Sequence, residues 1–374
     1  MKIEYIFAAF ALLAILDKIT GNRFKLGDEL EKGISTMGAL MLTMAGMIVF
    51  SPPLAQGFSA LFAPALSAIG MDPSVLSALF ANDAGGAVIG KELASDALLG
   101  AYNGMVVASM FGVTLCMLPL ILKLTAKEQQ SDVLLGLLSG LATIPVGCVV
   151  GGVMMQIPFL TVLWNTAPIT LLSLLICLGL WKAPRFVQKA LSILGILLTA
   201  LIFFGLALGI LDFLCGVKPI PGIASMEEVF FTVGNIALLL AGVFPLLSVL
   251  SRLLRRPLLW LGKHVGLDEA SMLGLITSLA NAIPMYTRTK EMNRKGRVIN
   301  VAFAVSAGYA IGDHLAYSLA FNAAHAAPVV VAKILSGAAA VALAAFLCRE
   351  KKAPTEAAPA EEAEALPEEA EAAK

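Results

Sequence analysis

The chain has 374 residues, of which 59% are hydrophobic and 14% are charged, and its mean hydropathy is +0.87. This composition excludes an ordinary water-soluble globular protein and predicts an all-α protein that crosses a lipid bilayer several times. The 26 Lys and Arg residues balance the 26 Asp and Glu residues without forming the basic face that nucleic-acid binding needs. We therefore predict a polytopic membrane protein with no nucleic-acid partner.

Nine apolar runs are candidates to cross a hydrocarbon core of ~30 Å as helices. The first run continues to Asp17-Lys18 without a signal-peptide cleavage site, so it is interpreted as a membrane helix. Pro52-Pro53 is expected to end or kink the second run, which is short. The nine runs are 3–17, 36–50, 98–122, 132–155, 159–181, 190–212, 229–250, 297–320 and 328–348.

Two further apolar segments, 73–94 and 269–292, are broken in the middle. Each half has ~10 residues and would reach ~15 Å as a helix, which is about half of the bilayer. Gly85-Gly86 is expected to form the turn of the first segment, and the break near Asn281 the turn of the second. We interpret both segments as re-entrant helical hairpins whose tips lie near the membrane midplane. The alternative is that each segment crosses the membrane as one kinked helix.

The two halves of the chain resemble each other at an offset of 195–199 residues. IGMD at 69–72 matches VGLD at 265–268, and Asn103 is matched by Asn300. This offset predicts two membrane repeats with a linking helix and loop between them and a disordered tail rich in Ala and Glu after them. The predicted units are repeat 1 (1–155), the link (156–195), repeat 2 (196–348) and the cytoplasmic tail (349–374).

Basic residues in the loops predict the relative orientation of the repeats, because Lys and Arg concentrate on the cytoplasmic side. Loop 18–35 holds four of them and its partner 213–228 holds one, whereas loop 251–263 holds four and its partner 51–72 holds none. Equivalent loops are therefore expected on opposite sides of the membrane. The halves are predicted to form an inverted repeat with the N-terminus outside.

Few ionisable residues lie within the apolar segments, and each is costly there unless it is paired, hydrated or functional. Asp83, at the first break, is interpreted as a counter-charge for a cationic substrate or ion, with an ion pair to Lys91 as the alternative. Asp313 is the second candidate carboxylate, whereas its neighbour His314 is expected to pack or form a hydrogen bond. Lys333 is expected to extend its ammonium group to the membrane surface.

Familiar catalytic motifs do not occur in the sequence. It contains no GxxxxGK[ST] phosphate loop, no HExxH, no CxxC and no GxSxG, so neither ATP hydrolysis nor a familiar intramembrane hydrolase is predicted. We expect no enzymatic activity, cofactor or metal site. Glycine pairs four residues apart are expected to let helices approach closely, and they lie at 136/140, 147/151, 205/209 and 308/312.

Six motifs distributed over the membrane region carry a resemblance to a known family. They are ANDAGG (81–86), GKELA (90–94), IPVGCVVGG (144–152), SLANAIPM (278–285), GRVINVAFAVSA (296–307) and IGDHL (311–315). At these motifs the chain resembles the EutH family, the ethanolamine permeases of bacterial ethanolamine-utilisation operons. The resemblance implies a multi-pass transporter of the bacterial inner membrane that brings ethanolamine to a cytoplasmic lyase for catabolism.

Ethanolamine is mostly a small primary ammonium ion at neutral pH, so its site needs a carboxylate, hydrogen-bond acceptors and an aromatic face. We expect the ring to come from Tyr102, Tyr309 or Trp164. The predicted substrate-binding residues are Asn82, Asp83, Gly85, Gly86, Asn281, Asn300 and Asp313.

Two alternatives stay open at the level of sequence. One is a sodium- or proton-coupled carrier of another small polar solute, and the other is a membrane-embedded sensor or scaffold. The coupling ion and the formation of homo-oligomers are also open.

Overall fold

A computed structural model describes residues 3–79 and 85–348, and all regular elements within these two ranges are helical. The prediction of an all-α protein is therefore confirmed for the described residues. A 3₁₀ helix spans Pro73–Leu79, and a π-helix at Tyr102–Val107 joins α4 to α5. The α-helices are α1 (Ile3–Ile19), α2 (Leu26–Ala68), α3 (Gly85–Leu93), α4 (Ala97–Ala101), α5 (Ala108–Leu124), α6 (Gln130–Met154), α7 (Phe159–Lys182), α8 (Pro184–Cys215), α9 (Met226–Val265), α10 (Glu269–Ala280), α11 (Ile283–Thr287), α12 (Arg294–Ala307), α13 (Asp313–Asn322) and α14 (Ala326–Leu347).

Seven helical stretches of the described residues are long and apolar enough to cross a membrane, so the chain is a multi-pass membrane protein. The count differs from the nine predicted runs because α1 has only 17 residues and the run 297–320 is interrupted. The seven are Leu26–Ala68, Ala97–Leu124, Lys127–Met154, Phe159–Lys182, Pro184–Cys215, Met226–Val265 and Asp313–Leu347.

Helix α2 continues through Pro52 and Pro53 to Ala68, so of the two expected outcomes, an end or a kink, these prolines do not produce an end. Each proline lacks the N–H that would bond to the carbonyl four residues earlier. The carbonyl of Ile48 instead accepts a hydrogen bond from Ser51 Oγ at 3.0 Å, and the carbonyl of Val49 accepts one from Ala224 N at 2.9 Å. Both freed carbonyls are thereby satisfied, and the helix persists.

The predicted span 297–320 is also corrected, because it breaks between α12 and α13 at 308–312. Tyr309 adopts a left-handed backbone there, with φ +63°. The backbone N–H of Tyr309 donates to Ser278 O at 2.8 Å, and that of Ile311 donates to Leu279 O at 2.9 Å. The break therefore satisfies carbonyls at the end of α10, which have no partner within their own helix.

The ends of each broken segment are held together by an aspartate. Asp72 Oδ2 accepts hydrogen bonds from Ser95 N at 3.0 Å and Asp96 N at 3.1 Å, which follow the first segment. Asp268 Oδ2 accepts one from Asn293 N, which follows the second segment. Asp72 and Asp268 are matched residues in the repeat, and each also caps the first turn of its own segment.

Two asparagines at equivalent positions of the two halves form hydrogen bonds to the same two broken segments. Asn103 Nδ2 donates to Ser74 Oγ at 2.8 Å, and Asn300 Nδ2 donates to Ser271 O at 2.9 Å. Both asparagines are fully buried. A hydrogen bond from a buried asparagine to a serine therefore occurs in both halves, 197 residues apart, although the acceptor is a hydroxyl in one and a backbone carbonyl in the other.

Glycines permit the closest helix contacts. The crossing of α2 and α8 is the tightest, since a Cβ atom on Gly46 would lie 1.6 Å from Ile202 O and one on Gly205 would lie 2.1 Å from Gly46 O. The predicted glycine pairs of α6 also pack closely. Gly136 and Gly140 face α12, while Gly147 and Gly151 face α14.

Candidate functional site

A cavity of about 490 Å³ lies where the break after α10 meets the break before α13. We call it the Asp313 cavity. It brings together two predicted site residues, Asn281 and Asp313, which are 32 residues apart in the chain. Its other lining residues are Thr36, Ala39, Leu40, Thr43, Cys116, Met117, Leu120, Gly195, Leu198, Thr199, Ile283 and Tyr309.

The local backbone explains where the polar groups of this cavity lie. Asn281 leaves α10 with an extended backbone, and its Oδ1 accepts a hydrogen bond from Ile283 N at 2.9 Å, so the carboxamide is held at the break. Asp313 is the first residue of α13, where the helix N-terminus favours a negative charge. The ring of Tyr309 stacks on that of His314 at 5.4 Å. A carboxylate, a carboxamide and an aromatic ring thus line one cavity.

A second cavity, of about 590 Å³, lies beside α3 and is called the Lys91 cavity. Its polar side chains are Lys91, Ser95, Thr232, Asn235 and Asn322. Met105 and Phe231 are among its apolar members. It offers hydrogen-bonding groups, but no carboxylate is found among its described lining residues.

The two cavities lie at opposite ends of the same helices. On the helix that runs from α4 through α5, Met105 lines the Lys91 cavity whereas Cys116 lines the Asp313 cavity, 11 residues or ~16 Å further along. On α13, Ala320 lines the former and Asp313 lines the latter. Buried residues between these positions, including Phe111 and His314, form a packed layer that separates the cavities.

Gly85 and Gly86 begin α3 and are buried there. Both have helical backbone, so the interpretation of these glycines as the turn is wrong. The backbone of Gly86 packs closely against Gly104, since a Cβ atom on Gly104 would lie 2.8 Å from Gly86 O. The predicted site residues Asn82 and Asp83 lie outside the described residues.

The remaining candidates are placed elsewhere. Asn300 lines neither cavity, because its amide bonds to the backbone of Ser271 and Gly296. The hydroxyl of Tyr102 is hydrogen-bonded within the core, to Thr166 Oγ1 at 2.7 Å. Trp164 donates from its indole to Ile69 O at 2.8 Å. Of the three proposed rings, that of Tyr309 is the one in the Asp313 cavity.

Lys333 does not extend to the membrane surface, so that expectation is wrong. Its side chain is 1% exposed, and its Nζ donates to Ser109 O at 2.8 Å. Helical periodicity could have revealed this, because position 333 falls on the same face of α14 as small buried residues. These residues are Ala326, Val329, Ser336, Gly337, Ala340 and Ala344.

Comparison with known proteins identifies relatives along almost the whole chain. A protein of Listeria monocytogenes named "Probable ethanolamine permease EutH" is 38% identical over 347 residues, which cover 92% of this chain and 93% of the relative. A protein of Escherichia coli with the same name is 32% identical over 94% of this chain and 96% of its own length. The Bacillus subtilis protein YxeR, described as uncharacterized, is 34% identical over 92% and 94%.

A search of solved structures found no match. The family model described as "Ethanolamine utilisation protein, EutH" matches residues 2–347. With this match and the relatives at 32–38% identity, the chain belongs to the EutH family.

Proposed function

We propose that the protein transports ethanolamine, as its ammonium ion, into the bacterial cytoplasm across the cell membrane for catabolism. The observation that carries this proposal is the convergence of Asp313, Asn281 and Tyr309 on one cavity of a multi-pass membrane protein. The names of the Listeria and E. coli relatives support the same substrate. They also support a transporter rather than an enzyme.

The chemistry of the cavity suits a small hydroxyl-bearing ammonium ion. An ammonium group offers three hydrogen-bond donors, and the Asp313 carboxylate offers both negative charge and acceptors. Asn281 can donate to the substrate hydroxyl through its amide nitrogen, since its oxygen already accepts from Ile283 N. The face of Tyr309 can attract the cation. Such charge-assisted contacts are stronger within a membrane protein than in water, because the local dielectric constant is lower.

We infer that the substrate passes between the Lys91 cavity and the Asp313 cavity, which the packed layer keeps apart in this conformation. The aspartates that join the ends of segments 73–94 and 269–292 support re-entrant hairpins, because a segment that crosses the membrane would have its ends on opposite sides. With the loop charges, these contacts favour an inverted repeat. One hairpin would then approach the site from each side, which is an arrangement suited to alternating access.

Uptake of radiolabelled ethanolamine into proteoliposomes that contain the purified full-length protein tests this function. We expect saturable uptake that exceeds the leak into protein-free liposomes, with competition by unlabelled ethanolamine. Ethylene glycol lacks the ammonium group and should not compete. Uptake no faster than in protein-free liposomes would reject the proposal.

Cysteine labelling in intact cells tests the proposed orientation. Cysteines introduced at 251–263, the C-terminal turns of α9, and at 287–297 should react only with reagent from the cytoplasm, whereas those at 213–228 should react only from outside, because the basic residues divide in this way. A variant without the five natural cysteines provides the background. If both sets reacted from the same side, the inverted repeat would be refuted.

A further inference from the structure

Lys333 is a buried cation that the proposed substrate site does not use. The ion pairs of the described residues do not include it, and within the same ranges its ammonium group donates a hydrogen bond to the carbonyl of Ser109 and to no carboxylate. An ionisable residue inside a membrane protein is costly and commonly marks a substrate, ion or proton pathway. A structural lysine would be expected to pair with a carboxylate, or to be replaced by an apolar residue, because one carbonyl compensates poorly for the lost hydration.

The position of Lys333 places it in the packed layer between the cavities. Its partner Ser109 follows Met105 of the Lys91 cavity by four residues and precedes Met117 of the Asp313 cavity by eight, which are ~6 Å and ~12 Å along a helix. Lys333 therefore lies at a depth between those of the two cavities.

The surroundings of Lys333 contain titratable groups but no described carboxylate. His314, which directly follows Asp313, is close enough to interact electrostatically with Lys333, and neither of its ring nitrogens has a hydrogen-bond partner among the described residues. Cys148 faces Lys333 from α6, and Tyr102 lies in the π-helix that also packs against α14. The charged residues of α12 lie at its N-terminal end, where Arg294 and Arg297 pair with Asp132.

We propose that Lys333 is the proton-binding residue of the carrier and that its proton and the substrate cation occupy the core in turn. Two positive charges repel strongly in a medium of low dielectric constant. Binding of the ammonium substrate would therefore break one Nζ–H bond of Lys333, and that proton would leave to water in the cavity from which the substrate came. After the substrate departs into the cytoplasm, the neutral amine takes a proton from the cytoplasmic side. One cation enters for each proton that leaves, so the exchange moves no net charge.

This inference rests on the proposed function, and the two can fail separately. In proteoliposomes of the wild-type protein, a lumen one pH unit more acidic than the outside should drive ethanolamine to an accumulation of about tenfold, at times too short for neutral ethanolamine to enter protein-free liposomes with the same gradient. An inside-negative potential of about 100 mV, which would concentrate a lone cation ~50-fold, should have no effect. Uptake that follows the potential but not the pH gradient would overturn the proton site and leave the transport function intact. Absence of all uptake would reject the transport function itself.

Two variants distinguish a proton-binding role of Lys333 from a purely structural role. Lys333→Met has no proton to exchange, so its uptake should become insensitive to the pH gradient and driven by the potential. Lys333→Arg keeps a permanent charge, because guanidinium stays protonated in proteins, and should lose net uptake. Lys182→Met, at an exposed lysine, should behave as wild type.

Exchange of internal for external ethanolamine at equal pH needs no proton step, so Lys333→Met should retain it. Thermal unfolding in detergent would show which variants remain folded. If folded Lys333→Met lost this exchange, or kept the pH response of the wild type, the proposal would be wrong.

Discussion

Replacing Asp313 by Asn should lower ethanolamine uptake at least about 30-fold while the protein still folds and reaches the membrane. Asn has nearly the same shape as Asp but no charge. Loss of one partner of a desolvated charge pair costs about 2–5 kcal/mol, because the ammonium group remains unpaired. We expect the effect mainly in the concentration that gives half-maximal uptake, measured as initial rates in proteoliposomes.

A second carboxylate-to-amide change provides the matched control. Asp212 lies at the end of α8, outside both cavities, and its partner is the largely exposed Lys218 at 3.5 Å. Because ion pairs with exposed partners contribute little, Asp212→Asn should transport at the wild-type rate. Normal uptake by Asp313→Asn, or reduced uptake explained entirely by lower protein abundance, would remove Asp313 from the substrate site.

The Gly46→Ala substitution should strongly reduce the thermal stability of the purified protein. A Cβ atom at this position would lie 1.6 Å from the carbonyl oxygen of Ile202, which is backbone and cannot rotate away. The crossing of α2 and α8 must therefore widen, and overpacking of this kind costs about 1–3 kcal/mol or more. We expect a lower unfolding midpoint in detergent, together with reduced yield.

Gly57 lies on the same helix and has no neighbouring atom within 4 Å of its Cβ position. Gly57→Ala should leave stability unchanged or raise it slightly, because Ala favours a helix over Gly. Equal unfolding midpoints for the two alanine variants would show that the α2–α8 crossing is not closely constrained.

The sequence predicted the features that depend on local apolarity. Most of the long apolar runs are helices long enough to cross a membrane. The predicted break near Asn281 is present, because α10 ends at Ala280. Asn281 and Asp313 were both predicted as site residues from their chemistry. Their meeting in one cavity was not predictable from apolar patterns, since it depends on the packing of two interruptions that are distant in the chain.

Three departures from the predictions share a physical cause, which is a partner that is remote in sequence. The span through 308–312 appeared continuous because the hydrogen bonds that stabilise its break come from α10. Helix α2 survives Pro53 because Ala224, 171 residues away, donates to the freed carbonyl. The burial of Lys333 was missed because its hydrogen-bond acceptor, the carbonyl of Ser109, lies on another helix.

The hydrogen bonds between the end of α10 and the break at 308–312 also limit how the protein can move. Ser278 and Leu279 precede Asn281 by three and two residues, and their partners Tyr309 and Ile311 precede Asp313 by four and two residues. Asn281 and Asp313 therefore belong to one rigid unit, and they separate only if those bonds break in a place that water rarely reaches. Opening towards either side would then come from displacement of the surrounding helices, such as α2 and α5, and Asn281 and Asp313 would stay together while the substrate enters and leaves their cavity.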